Sequence, residues 1–477
     1  MEHSSKPVHV ESNDDDLVAR VAAIDVAKDS GMACTRVPDE SRPGKRTTTV
    51  WSVRARTSSM IELADQLAEQ RIERVVLEAT SDYWRPFYYL LEARGLTVWL
   101  VNARDVKNVP GRPKTDKLDA IWLAKLNERG MLRSSFVPPV EIRQLRDYTR
   151  LRADLTGERS RHIQRVEKLL EDALIKLSSV ATNIMGVSAR AMLAALIAGE
   201  RDPAVLAELA KGRLRVKNPA LIEALTGRFD EHHAELADIL LGQIDSLTAQ
   251  IEWLDTRAEQ IIADIPAAQA RPTPAASTTS DRPPPAYLAA VDRLDEITGI
   301  GRHGAQTIIA EVGLSMDVFP TSAHLVSWSK ISPRAVQSGA KTRPGKTGKD
   351  NPYLKSVLGE AAASAARTNT FLGVRYRRLA RRIGKQKAQV AVARSILVIV
   401  WNLLADPTRR YHDIGPEFYD NRIGPERRKR NHIRQHSSHS ATPSHSPPQP
   451  EYQPPQQSIF RSGTTPKPTT NMQVKSL

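Results

Sequence analysis

Four acids in this chain have the types and spacing to hold a divalent cation together. Asp25 ends the apolar run VAAI, Glu78 ends VVL, and Asp116 and Asp119 stand three residues apart in KTDKLDA. A single acid is ordinarily a solvated surface charge. One that interrupts a strand-like apolar run costs stability unless it is paired or binds a cation. Asp25 and Glu78 meet that description, so a chemical role is expected of them. A spacing of three places Asp116 and Asp119 on one face of a helix. Oxygen ligands of this kind suit Mg²⁺, with Mn²⁺ as a substitute, because the ion keeps much of its water and also binds substrate phosphate. Two such ions can stabilise the attacking and leaving oxygens of a phosphodiester exchange. The series Asp, Glu, Asp-x-x-Asp therefore fits a metal-dependent nuclease core.

Those acids need a scaffold. Residues 20–27, 32–37 and 47–53 read as three short strands, with turn residues at Asp29-Ser30-Gly31 and from Pro38 to Lys45. A helical pattern near 58–71, a strand at 73–78 and a helix at 83–94 follow. Gly95 makes a natural C-cap before a strand from Leu96 to Val101. Three strands and then β/α alternation is the order of an α/β RNase H-like fold, a mixed sheet with acids gathered at its centre. Pro110-Gly111-Arg112-Pro113 breaks the chain before the helix carrying Asp116 and Asp119.

A second set of candidates lies far downstream. LDEITGIGRHGAQTI reads as helix, glycine turn, helix, and Gly299 and Gly301 would expose backbone N–H groups to a nucleic-acid phosphate. A tight turn between helices wants glycine too, so both readings stand. Ser338 follows in SPRAVQSGAKTRPGKTGKDNP, where Lys341, Arg343, Lys346 and Lys349 make its surroundings a mobile, electropositive loop. A serine there is either a phosphate hydrogen-bond donor or a nucleophile. The second role requires loss of its proton and stabilisation of the developing charge. Asn351-Pro352 restarts a helix through N-cap and first-turn chemistry. GKT at 345–347 is no nucleotide-binding loop, since Ala340 stands where that pattern needs glycine. Residues 375–387 carry seven basic side chains and no acid. Arg375, Arg378, Arg382 and Lys385 fall on one helical face, a phosphate-tracking pattern, whereas a merely solvated face normally mixes signs.

Between the two sets the chain turns to long charged helices. Ile142, Leu145, Leu151 and Leu155, then Ile163, Val166, Leu170, Leu174 and Leu177, keep helical spacing. A second long helix spans about 232–264, where Ile244, Leu247, Ile251, Leu254, Ala258 and Ile261 alternate steps of three and four, as a coiled coil does. With a smaller helical insert at about 185–228 the pair suggests a coiled-coil hairpin, a plain helical bundle being the alternative. The expected organisation is a flexible N-terminus (1–17), an α/β nuclease domain (18–140), a coiled-coil region (141–264), a Pro-rich linker (265–288), a mainly helical C-terminal domain with a helix-hairpin-helix-like segment (289–405) and a basic, largely disordered tail (406–477).

Charge narrows the partners. The 477 residues include 69 Lys and Arg against 54 Asp and Glu, a net charge of +15 that favours a polyanion, nucleic acid before membrane. Cys34 is the only cysteine, which excludes a disulfide framework and a cysteine metal site. The opening EHSSKPVHVESNDDD lacks the apolar core of a secretion signal, and the apolar stretch Ser395 to Ala405 is short for a bilayer, so a cytosolic protein is expected. Five of the twelve histidines lie in the tail at irregular spacing, which suits a flexible segment better than a metal site.

The motifs AAIDVAKDSG, LEATSDYW and GRPKTDKLDAIWLAKL resemble the DEDD insertion-sequence transposases related to the Piv DNA invertase. ITGIGRHGAQTIIAEVG, SPRAVQSG and NPYLKSVLGEAAASAAR resemble the second signature of that family, in the same order, over about 20–175 and 290–405 in all. The resemblance implies a RuvC-like N-terminal domain with Asp25, Glu78, Asp116 and Asp119 as its Mg²⁺ ligands, and Ser338 as the serine nucleophile of the second domain. It implies a DNA recombinase acting on donor and target DNA, with an element-encoded guide RNA and a tetrameric assembly. A Holliday-junction-type nuclease using water at the same acids is the alternative mechanism, and a catalytically decayed nucleic-acid-binding protein is the alternative class.

Overall fold

Val21–Val26 (β1) is buried along almost its whole length, as a strand covered on both faces must be. The computed structural model, which describes residues 18–79, 81–102, 115–269, 288–333, 335–339, 341–345, 347–348 and 351–421, places β1 at the centre of a five-stranded sheet. Its neighbours are β2 (Ser30–Pro38), β3 (Arg46–Arg54), β4 (Arg74–Ala79) and β5 (Val98–Asn102), in the order β3-β2-β1-β4-β5. β2 is antiparallel to β1 and β3, while β1, β4 and β5 run parallel. This is the mixed α/β sheet that the apolar runs predict. The period-two alternation then assigns the faces. Ile24, Val26, Val75 and Leu77 meet α1 (Thr57–Glu69) and α2 (Trp84–Ala93) through Leu63, Leu67, Phe87 and Leu91. Ala23, Cys34, Val76 and Val101 point the other way and are covered by Ala120, Leu123 and Ala124 of α3 (Asp116–Glu128).

Two long helices follow, α4 (Val140–Asp172) and, beyond an insert, α9 (Glu231–Asp264). They are antiparallel: Ile142 and Leu145 share a core with Ala258 and Ile261, and Val166 and Leu170 share another with Ala237 and Leu241. All six residues expected in the α9 seam are buried. The α4 seam is different. Leu151 is exposed and Leu155 half-buried, while Thr149 and Arg152 hold the inward positions. The register runs through Ile142, Leu145, Thr149, Arg152 and on to Val166 and Leu170, so the α4 side of the hairpin is polar at Thr149 and Arg152. The insert contains α5 (Leu177–Val180), α6 (Val187–Ile197), α7 (Pro203–Glu208), a 3₁₀ turn (Gly212–Lys217) and α8 (Asn218–Leu225).

The C-terminal helices are α10 (Ala290–Asp295), α11 (Arg302–Val312), α12 (Ser322–Trp328), α13 (Pro352–Ala366), α14 (Phe371–Ile383) and α15 (Lys385–Ala405). A two-stranded hairpin, β6 (Ala335–Ser338) and β7 (Lys341–Pro344), lies between α12 and α13. Ile308, Leu354, Leu358, Ile396 and Val400 close their core around the bases of α4 and α9. Ile265 and Ala268, assigned to the linker by composition, are buried in the same core. α15 is longer than the apolar stretch read at 395–405, and by length and composition alone it could cross a membrane. Here Val392, Ile396, Leu397 and Val400 make it a core helix.

Residues Met1–Gly415 form one unit, and Pro416–Leu477 form a second whose described part holds a short helix, α16 (Phe418–Asn421). The expected flexible N-terminus, the break at 110–113, most of the linker, Lys346 and the tail beyond 421 lie outside the described residues.

Candidate functional site

Asp25 and Glu78 end neighbouring strands of the sheet, and Asp116 and Asp119 stand at the start of the helix that covers one of its faces. Asp25 and Glu78 each follow the paired residues Ile24 and Leu77 and share the alternation of Ala23 and Val76, so both belong to the α3 face. α3 is anchored to the starts of β1 and β4. Near its C-terminus the amide of Asn127, fully buried, donates to the carbonyls of Ala22 and Arg74 at 3.1 and 3.2 Å, and its oxygen accepts from Arg74 Nε at 2.7 Å. From that anchor Asp119 lies eight residues, or about 12 Å, back along the helix. Asp25 lies three residues, or about 10 Å, along β1 beyond Ala22. Thr115 caps the helix by accepting from Leu118 N, and Asp116 and Asp119 occupy its first turn, where negative charge is favoured.

Glu78 is 5 % exposed, Asp25 and Asp119 are intermediate, and Asp116 is open to solvent. Asp25, Glu78 and Asp119 each already engage a partner. Among the described residues, no three His, Cys, Asp or Glu side chains form a ready-made metal cluster. The donors are all carboxylate oxygens, the chemistry a hard divalent cation takes. Burial under α3 pushes the Cys34 thiol on this face up to about 11, partly countered by Arg36 and Lys125.

Ser338 is the last residue of β6, opposite Lys341 of β7. A regular ladder therefore carries it in place of the irregular loop expected, and Gly339, with φ +58°, starts the tight turn after it. Arg343 pairs with Val336. The segment is tied at its neck. A Cβ on Gly348 would lie 2.7 Å from Lys330 Cδ, and Lys355 donates to the Gly348 carbonyl. Asn351 caps α13 by accepting from Leu354 N at 3.0 Å, with Pro352 in the first turn, as the sequence predicts.

What the sequence reading missed is the carboxylate behind that cap. Glu311 of α11 is 0 % exposed. It accepts a two-pronged pair from Arg150 at 2.8 and 2.9 Å, stands 3.5 Å from Arg146, and accepts from Asn351 Nδ2 at 2.8 Å. Burial opposes the charge of Arg150, yet the hydrogen bonds and charge of Glu311 leave it raised above its ordinary value; Arg146 is lowered, chiefly by burial. Arg143 of the same helix pairs with Glu92 of α2 at 2.6 Å. Arg152 reaches Asp255 of α9 at 2.8 Å and Gln306 of α11 at 2.7 Å. α4 is thus an arginine spine joining the N-terminal sheet, the hairpin and the C-terminal helices. A signal existed: Glu311 interrupts IIAEV just as Asp25 and Glu78 interrupt their runs.

The other nucleic-acid candidates divide. Gly299 has φ +94°, and a Cβ there would lie 2.3 Å from the Ala361 carbonyl, so close packing of its turn on α13 explains this glycine. Gly301 is exposed at the N-terminus of α11 with open space around it. The single basic face over 375–385 does not form. Gly384, at φ +85°, ends α14, and Lys385 begins α15. Arg375 donates to Ser395 Oγ at 2.9 Å, while Arg378 and Arg382 are exposed on α14.

Residues 22–175 match a DEDD-type domain model of the IS110 group, described as a transposase, and residues 291–377 match one described as a transposase of the IS116/IS110/IS902 family. Together they span just over half the chain, and they include all four acids and Ser338. A protein of Sinorhizobium fredii named as a candidate transposase, y4rJ, is 27 % identical over 344 residues, covering 69 % of this chain and 76 % of its own.

Proposed function

This chain belongs to the IS110 family of transposases, and from that premise we propose that it cuts and rejoins DNA with Ser338 as nucleophile and the four acids as its divalent-metal site. The observation that carries the reading is that Asp25 and Glu78 end adjacent parallel strands on the face that α3 covers, while Asp116 and Asp119 stand in the first turn of α3. The strand order β3-β2-β1-β4-β5, with only β2 antiparallel to its neighbours, supports an RNase H-like, RuvC-like domain. Bound Mg²⁺, or Mn²⁺ in its place, would polarise phosphoryl oxygens and neutralise developing charge.

The side chains then divide the work. Asp25, Glu78, Asp116 and Asp119 hold the cations. Ser338 Oγ attacks phosphorus, forming an ester as the bond to one sugar oxygen breaks. The serine proton leaves to a base, and the sugar oxygen departs as a hydroxyl. Attack by another DNA hydroxyl reverses the step and frees the serine, so bond energy is conserved for rejoining. Lys341, Arg343 and Lys346, which follow Ser338 closely in sequence, would supply positive charge for the phosphate. Gly301 and the exposed Arg378, Arg382 and Lys385 track phosphates without reading bases. In this proposal a structured guide RNA supplies sequence recognition, the assembly is a tetramer in the bacterial cytosol, and the α4–α9 hairpin is a coiled-coil spacer.

The test is the acids. Asp25→Asn and Asp119→Asn should abolish strand cleavage while DNA binding and the thermal midpoint stay near wild type. Undiminished cleavage by either variant would overturn the metal-site assignment.

A further inference from the structure

The insert at the far end of the α4–α9 hairpin has no part in the mechanism above. It is nevertheless a built module. Leu177, Met192, Leu193, Leu206, Leu221, Leu225 and Phe229 pack around Val166, Leu170 and Leu241 in a core separate from the C-terminal one. Its surface presents KGRLRVK, residues 211–217, largely as a 3₁₀ turn. Lys211, Arg213, Arg215 and Lys217 are all exposed, with no acid among them; Glu208 and Glu223 are the nearest in sequence.

Their contacts set these cations apart. Arg143, Arg146, Arg150, Arg152 and Arg190 are all ion-paired. Among the described residues none of Lys211, Arg213, Arg215 and Lys217 is in an ion pair. Arg215 donates to the Ala210 carbonyl at 3.1 Å and Lys217 to the Val180 carbonyl at 3.1 Å. Neutral acceptors hold these side chains at the surface without cancelling their charge. The Lys211 backbone is fixed as well, by Ser188 Oγ at 2.9 Å. A surface held in this way, of one sign and uncompensated, matches a phosphate backbone.

We propose that the 211–217 turn is a second contact for duplex DNA, remote from the reacting phosphodiester. α4 has 33 residues, so it carries the insert about 50 Å from the N-terminal domain. That distance corresponds to about 15 base pairs of duplex. The turn would grip the backbone of flanking DNA and fix the direction in which it leaves the site, independent of sequence. The proposal rests on the DNA-acting reading above.

The experiment compares wild type with the double variant Arg213→Gln, Arg215→Gln on mixed-sequence duplexes of about 15 and about 60 base pairs. On the short duplex both proteins should bind within about twofold. On the long one the variant should be weaker by about tenfold, with a log–log salt slope shallower by about 1.8 for two lost phosphate contacts. Arg213→Lys with Arg215→Lys should keep the wild-type slope, which a purely structural role would not require. Equal affinities on the long duplex would overturn the proposal. So would equal losses at both lengths, or a lost oligomer with unchanged slope, which would make the turn an interface between copies. Failure of wild type to bind either duplex would refute the DNA-acting reading and this proposal with it.

Discussion

Two regions of this molecule bury a glutamate in an apolar run, and they use it in opposite ways. On the sheet Glu78 lies on the same face as Asp25, and Asp116 and Asp119 stand in the first turn of the helix that covers that face. At the α4–α11–α13 junction Glu311 is fully enclosed and met by Arg150, Arg146 and Asn351. Interrupted apolar runs flag both, but only the surroundings tell them apart. A carboxylate saturated by arginines is a structural pin, whereas under the proposed function the acids of the sheet face would hold a divalent cation.

The largest effect should come from the pin. Glu311→Ala leaves two largely buried guanidinium groups uncompensated and should cost about 3–5 kcal/mol of unfolding free energy. Asp116→Asn, at an exposed position, should stay within about 0.5 kcal/mol. Denaturant midpoints for the two variants check this, and comparable losses would erase the distinction drawn here. Asn351→Ala removes both a helix cap and a hydrogen bond to Glu311, so about 1–2 kcal/mol should be lost. The same change loosens the neck behind Ser338, so cleavage should fall further than the stability loss accounts for.

Much of this comparison was legible in the sequence on one side only. The strands and their faces follow from period-two alternation, and the placing of Asp116 and Asp119 in one helical turn from an i, i+3 spacing, both local rules. Glu311 obeys the same local rule, yet its partners come from 161 residues upstream and 40 downstream, which no local pattern encodes. Arg152 is the same lesson in reverse. Leu151 looked like the seam residue until Asp255 and Gln306 supplied a buried arginine with partners. The basic run at 375–387 failed as one helix because a single glycine at positive φ divides it.

Smaller effects sharpen the contrast. Replacing Arg378 and Arg382 with alanine should weaken nucleic-acid binding for all sequences and flatten its salt slope by up to about one unit per lost phosphate contact. An unchanged slope would leave that helix a solvated surface. Cys34, under α3 with its thiol pushed up to about 11, has almost no thiolate at pH 8. It should resist alkylation in the native protein and react on unfolding. Rapid labelling of the folded chain would mean that α3 does not stay closed over the face bearing the acids.

The most direct measurement concerns the nucleophile, because the acids would serve a serine or a water molecule equally well. Wild type and Ser338→Ala are incubated with labelled donor and target DNA, Mg²⁺ and guide RNA, then separated on a denaturing gel. Wild type should give protein covalently joined to a DNA end, and Ser338→Ala should give neither adduct nor recombinant, since alanine has no oxygen to attack with. Cleavage by Ser338→Ala at near wild-type rate, with no adduct from either protein, would contradict the account and assign the attack to water.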